Sequence, residues 1–251
     1  MIMEYQERTY RRKTDHLRFS YFRSVLEETD LWIGVDHGSS DSKMEGFVEQ
    51  VLKDIRKDLV GYALSHPGFL HSHTSVPAGP GAPEVVRRMC SASAKAGVGP
   101  MAAVAGTFSA MVGERLKREF SVRELIVENG GDIWLQIETP LTVSVEAGNS
   151  PFTGKTGLEV DPEYTPLGIC TSSGTFGHSF SYGRADAVMI ACRNCSLADA
   201  LATAWCNRIS REKDVEKTAQ MAGKVPEILS VIAIRGEKLG IAGKLRFGIF
   251  A

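Results

Sequence analysis

Two periods of apolar and polar positions alternate along this chain, and the switches between them lay out its elements. Leu17 to Tyr21 and Leu31 to Val35 are short apolar runs on either side of Glu27-Glu28-Thr29-Asp30, which predicts strands joined as a hairpin or meander. From Lys43 to Leu64 the apolar residues Met44, Phe47, Val48, Val51, Leu52, Ile55 and Leu59 return every three or four positions, the period of an amphipathic helix. Ser65-His66-Pro67-Gly68 ends it. Residues 74 to 83 are crowded with Pro and Gly and predict an irregular surface loop. Two helices follow, from about Glu84 to Lys95 and from about Met101 to Arg118, the second with Val104, Phe108, Met111, Val112 and Leu116 on one face.

Leu125 to Glu128, Ile133 to Ile137 and Leu141 to Val145 lie between turn signals and read as successive strands of an antiparallel sheet, with Gly130-Gly131 at the first turn. Strands around Leu167 to Cys170 and Ala187 to Ala191 lead into a helix from about Leu197 to Arg208, and Ile228 to Ile249 reads as a strand meander. The pattern predicts a mixed α/β fold of the α+β type, antiparallel sheets covered by helices. With no clean linker and no fixed-period repeat, 1-251 reads as one domain, or as two coupled subdomains.

Composition narrows the function classes. A net charge of -1 with 24% charged residues gives no reason to expect nucleic acid, and no apolar run approaches the roughly 20 residues of a membrane span. The first residues lack the apolar stretch of a secretory signal, and five cysteines are an odd set, so a cytoplasmic protein with reduced thiols is expected. Apolar sheet edges make a homodimer an expectation.

The most informative chemistry lies in Ser196-Leu197-Ala198-Asp199-Ala200-Leu201-Ala202-Thr203-Ala204-Trp205-Cys206. After its start only Asp199 and Thr203 are polar, and they share one face at i and i+4. A helix apolar all round is buried, so Asp199 needs a cation, an arginine or backbone donors. Mg2+ suits Asp and Thr oxygens, while Ser196-x-x-Asp199 is equally a capping box. Thr171-Ser172-Ser173-Gly174-Thr175-Phe176-Gly177-His178 follows a strand and offers hydroxyls, an imidazole and backbone groups to a phosphate or flavin edge, or forms a plain turn. Gly130-Gly131-Asp132 is either an ordinary hairpin turn or a turn that aims Asp132 at a ligand. Gly97-x-Gly99 follows a helix where a dinucleotide fold needs a strand, which rejects a Rossmann reading but leaves a turn able to present backbone groups. Cys192-x-x-Cys195 has redox spacing without a second pair for zinc, and His71-x-His73 sits beside the Pro/Gly loop.

In this order, Val127-Glu128-Asn129-Gly130-Gly131-Asp132-Ile133, Thr171-Ser172-Ser173-Gly174 and Leu197-Ala198-Asp199-Ala200-Leu201-Ala202-Thr203-Ala204 resemble the core motifs of the ApbE family, most of all its UPF0280 branch. The resemblance spans about residues 85 to 210. It implies an ApbE-like fold and binding of FAD or FMN with Mg2+. It also implies transfer of FMN to a protein acceptor, or hydrolysis of FAD to FMN and AMP. By the same resemblance Asp199 and Thr203 fall on the metal ligands, and Gly99, Gly130, Gly131, Asp132, Thr171, Ser172, Ser173, Gly174 and His178 fall at the flavin site. Two features differ from the transferases: Ala105 stands where they carry lysine before Gly106, and their His-containing segment is missing after Thr175. These differences leave open an accessory role in anaerobic sulfur assimilation toward homocysteine, or binding of another phosphorylated small ligand.

Overall fold

The computed structural model describes residues 8, 10, 11, 14–175 and 182–250. Strands β1 (Phe19–Leu26) and β2 (Thr29–Asp36) form the expected hairpin, with Glu27 in the left-handed region at φ 51. The pairing runs from Phe19 opposite Asp36 to Leu26 opposite Thr29, so Thr29 and Asp30 belong to the strand and not to the turn. Helix α1 (Met44–Ser65) buries Met44, Val48, Val51, Leu52, Ile55 and Leu59, the stripe that its sequence period predicts. A single turn, α2 (Gly68–His71), precedes the Pro/Gly loop. Helix α3 (Glu84–Ala96) ends at Gly97, whose left-handed φ of 72 lets its N–H and that of Val98 both return to the Ser93 carbonyl. A 3-10 turn at Pro100–Ala103 then opens α4 (Val104–Glu119).

The remaining elements are β3 (Leu125–Asn129), β4 (Asp132–Gln136), β5 (Leu141–Ser144), β6 (Thr156–Val160), β7 (Leu167–Ser172), β8 (Ala187–Cys192), α5 (Cys195–Cys206), α6 (Val215–Ala222), β9 (Ile228–Arg235), β10 (Lys238–Gly243) and β11 (Arg246–Ile249). Eight strands make one antiparallel sheet in the order β1-β2-β3-β4-β7-β8-β9-β10, and three make a second in the order β11-β6-β5. The mixed α/β class is therefore as the sequence predicts. Two details differ. β5 leaves the sheet that holds β3 and β4, and β11 leaves the β9-β10 hairpin to join it. Alternation marks a strand and its buried face but not the sheet it enters, and Pro140, which has no ladder donor, separates β4 from β5.

The large sheet has a core on each face. Leu31, Ile33, Val35, Val127, Trp134, Cys170, Val188, Ile190 and Val231 point toward the helices. Leu135, Leu167, Ile169, Ala187, Met189, Ala191, Ile232 and Ile234 point toward the small sheet and meet Val143, Val145, Leu158 and Val160. This explains why β8 is an unbroken apolar run: both of its faces are covered. Helix α5 is buried because β7 and β8 lie on one side of it and α3 and α4 on the other. Among the described residues no single helix is long and apolar enough to cross a membrane.

Candidate functional site

Asn194, not Ser196, caps α5: its side-chain oxygen accepts the Leu197 N–H at 3.0 Å. Asp199 therefore has no capping duty in its own helix. Instead it reaches across to the first turn of α4, where its Oδ2 accepts the Gly106 N–H at 2.8 Å, and the Ala105 N–H also donates to its carboxylate. The close approach is built into Gly106, since a Cβ there would stand 2.7 Å from the Cys195 carbonyl and 2.8 Å from Asp199 Cβ. A carboxylate at a helix N-terminus gains from two unpaired donors and from the helix dipole. Even so, burial dominates and raises the Asp199 pKa from 3.8 to about 7, with the two N–H groups pulling the other way.

Asp132 opens β4 opposite Cys170 of β7. Its carboxylate accepts from the Thr171 N–H, while its Oδ1 is buried with no hydrogen-bond partner among the described residues. Its pKa is pushed well up, first by burial and then by the nearby charge of Asp199 and of Glu128. Ser172 Oγ, on the same stretch of β7, is likewise buried and unpartnered among the described residues. Thr203 lies one turn along α5 from Asp199 and is 9% exposed. Two carboxyls whose pKa values burial raises, with an orphan carboxylate oxygen and an orphan hydroxyl among the described residues, form a site rich in hard oxygen acceptors.

The turn before Asp132 is held from outside the site. Gly130 and Gly131 take φ 67 and 99, and the Gly131 N–H donates to Glu128 Oε1 at 2.7 Å. That carboxylate also accepts from the Tyr10 hydroxyl at 2.8 Å and from Arg11 Nε at 2.7 Å. Arg11 bridges on to Asp30, where burial is outweighed by Arg23 and Arg11 and the pKa falls to about 2. These N-terminal contacts to Glu128 and Asp30 were not visible in the sequence, because the partners lie 117 and 19 positions from Arg11.

The other expected site residues are distributed unevenly. Asp132 pairs with Cys170 across β4-β7, Thr171 to Gly174 continue from that pair, and the Thr171 carbonyl lies 3.8 Å from the Cβ position of Gly131. A Cβ on Gly174 would overlap the Gly183 carbonyl, and one on Gly99 would overlap the Ser72 carbonyl, so close backbone packing uses both glycines. That packing brings the His71-x-His73 segment beside the turn before α4, and the His73 ring meets Tyr182 edge-on at 5.4 Å. His178 lies outside the described residues. Among the described residues no three His, Cys, Asp or Glu side chains converge closely enough to hold a metal by themselves, so a cation here would draw on Thr203, backbone oxygens and water as well. Two cavities of about 370 and 380 Å³ lie elsewhere, one between α1, α3 and α4 and the other at the start of α5; neither is lined by Asp132, Asp199 or Thr203.

The C-x-x-C spacing, which reads as structural thiols or as a site of thiol chemistry, does not bring its own two sulfurs into a hydrogen bond among the described residues. All five cysteines are buried and none is in a disulfide. Cys192 has no hydrogen bond with Cys195 among the described residues; the thiol beside Cys195 is Cys170, with the sulfurs 3.7 Å apart. Burial raises all three, Cys192 to about 12.

This architecture defines a class. It superimposes on the flavin transferase ApbE from Vibrio cholerae with a TM-score of 0.61 at 14% identity, covering 90% of this chain and 98% of that one. The apo form of the Pseudomonas stutzeri flavinyl transferase ApbE gives 0.55 at 15% identity, covering 91% and 95%. At such identities the likeness is one of fold. Sequence carries the assignment further. The family profile described as AbpE bacteria matches residues 11–225. A UPF0280 protein of Methanocella arvoryzae is 41% identical over 191 residues, 76% of this chain and 77% of its own length. One from Methanocaldococcus jannaschii is 38% identical over 229 residues, 89% and 90%. The chain belongs to the UPF0280 family of ApbE-like proteins.

Proposed function

We propose that this protein binds a flavin dinucleotide together with Mg2+ and acts at the pyrophosphate, as an FMN transferase or an FAD hydrolase. The observation that carries the reading is the pair Asp132 and Asp199: two buried carboxyls, one with an orphan oxygen and both with raised pKa values, with no ion pair to a lysine or arginine among the described residues. Such a pair is costly to keep unless something positive binds there. A hard cation fits this donor set, with Asp199 and Thr203 as its side-chain ligands and Asp132 beside them. When bound, the cation supplies charge neutralisation at the pyrophosphate.

The rest falls to the chain's own groups. The Gly106 and Ala105 N–H donors fix the Asp199 carboxylate in one orientation. Gly130, Gly131 and Thr171 to Gly174 offer backbone and hydroxyl donors to the flavin and its phosphates, and we assign Gly99 and His178 to the same site. The acceptor is a protein hydroxyl in the transferase reading and water in the hydrolase reading. We read residues 1–251 as one ApbE-like domain built around this site.

A second reading, binding of a different phosphorylated small ligand, is favoured by Ala105, which stands where the resemblance expects lysine. One experiment separates them. The purified protein is titrated with FAD, with and without Mg2+, following flavin fluorescence and AMP release, and again as Asp199→Ala. Mg2+-dependent conversion of FAD to FMN, lost in the variant, is the expected result. Neither binding nor turnover of FAD in the presence of Mg2+ would overturn the flavin reading.

A further inference from the structure

Cys170 and Cys195 come from different elements. Cys170 sits in the middle of β7, and Cys195 is the first residue of α5. Gly168 brings the two elements together, since a Cβ on it would run into the Cys195 backbone. The sulfurs are 3.7 Å apart, and a disulfide needs about 2.05 Å, so closure requires a movement of under about 2 Å shared between two side chains. Cys195 also lines the cavity of about 380 Å³ at the start of α5, together with Arg88, Trp134 and Arg193.

We propose that Cys170 and Cys195 form a thiol modification site that a two-electron oxidant of the hydrogen peroxide class closes to a disulfide. The Cys195 sulfur attacks one peroxide oxygen, the O–O bond breaks, and a sulfenic acid and water result. The Cys170 sulfur then displaces the hydroxyl from that sulfenic acid, its own proton leaving with it as a second water. Two thiols are oxidised and one peroxide is reduced. Cys192, despite its C-x-x-C spacing, takes no part.

The modification has a consequence at the carboxylates, and this part rests on the function proposed above. Cys170 stands opposite Asp132 in the β4-β7 pair, and its thiol faces the Cys195 carbonyl at 3.5 Å and the Cys195 sulfur. Closing the disulfide removes the thiol proton and draws this sulfur further toward Cys195, which alters the surroundings of the Asp132 carboxyl. Disturbing the neighbours of a metal-site carboxylate weakens cation affinity by roughly tenfold.

The test uses the full chain, purified reduced, incubated with hydrogen peroxide until the reaction is complete and then alkylated after unfolding. Intact mass and peptide mapping give the product, and calorimetry gives Mg2+ affinity before and after. The expected product has lost two hydrogens, contains a Cys170–Cys195 peptide pair and leaves Cys192 alkylated. It is restored by dithiothreitol and forms unchanged in Cys192→Ser. A Cys192–Cys195 bond, or oxygen added to single thiols with no disulfide, would sink the proposal, and the mapping on the unmutated chain decides this even if Cys170→Ser or Cys195→Ser fails to fold. A disulfide that leaves Mg2+ affinity within twofold would overturn the link to Asp132. If the reduced protein binds no Mg2+ at all, the proposed function fails while the mass result still decides the disulfide.

Discussion

Asp199→Asn separates the charge of that side chain from its shape. The amide oxygen can still accept the Gly106 N–H, but the group can no longer ionise. In the unmutated protein the carboxyl titrates near 7 instead of 3.8, so between those values the folded state keeps a proton that the unfolded chain has released. Its contribution to stability is complete below about pH 4 and is lost as pH rises through 7. The interval from 3.8 to about 7 is about 3.2 units, which at 1.36 kcal/mol each sets a ceiling of about 4 kcal/mol at about pH 8. Urea unfolding of metal-free protein should then find Asp199→Asn more stable than the parent at pH 8, by roughly 1 to 4 kcal/mol, with the gap nearly closed by about pH 4. Millimolar Mg2+ should stabilise the parent, because binding is linked to folding, and leave the variant unchanged. A variant that is less stable at pH 8, or a gap that ignores pH, would refute the reasoning.

Three other substitutions probe the scaffold around the site. Gly106→Ala forces α4 away from α5 and should lower stability by about 1 to 3 kcal/mol in thermal melts while weakening Mg2+ binding. Arg11→Ala leaves Asp30 and Glu128 without their shared guanidinium, and since all three are nearly buried the loss should reach roughly 3 to 5 kcal/mol by urea unfolding, with Arg11→Lys recovering only part of it. Asn194→Ala should cost about 1 kcal/mol by removing the Leu197 N–H acceptor, whereas Asn194→Ser should be close to neutral in the same assay.

The sequence carried the local order well and the long-range partners poorly. The α1 stripe and the all-round apolar α5 were legible because each has a period that only one kind of burial satisfies. β6 and α6 went unseen: Thr156–Val160 holds a single apolar alternation, and Val215–Ala222 is barely two turns. At the site, Asp199 and Thr203 stand out as polar intruders on a buried helix, but Ser196 suggested a cap that Asn194 provides. Nothing in the spacing revealed that Asp199 serves α4, that Arg11 holds Glu128, or that Cys195 faces Cys170. Those pairings depend on how α5 and the N-terminal segment settle onto the sheet, and no periodicity encodes that.

The covering of β8 on both faces has a consequence for how its register is chosen. In a strand with one wet face, sliding by one residue buries polar groups and is rejected by solvation. In Ala187–Cys192 every side chain is apolar, so a slip would exchange Val188 and Ile190 for Ala187, Met189 and Ala191 without exposing a charge. Size must discriminate instead: the helix-side layer expects branched side chains and the small-sheet side expects alanines around one methionine. The irregular step between Ala191 and Cys192 against β9 adds a second marker, because a slipped strand would misplace it. The centre of this sheet is thus aligned by volume rather than by polarity, and enlarging Ala187 or Ala191 should blur the alignment of β8 before it disturbs any surface of the protein.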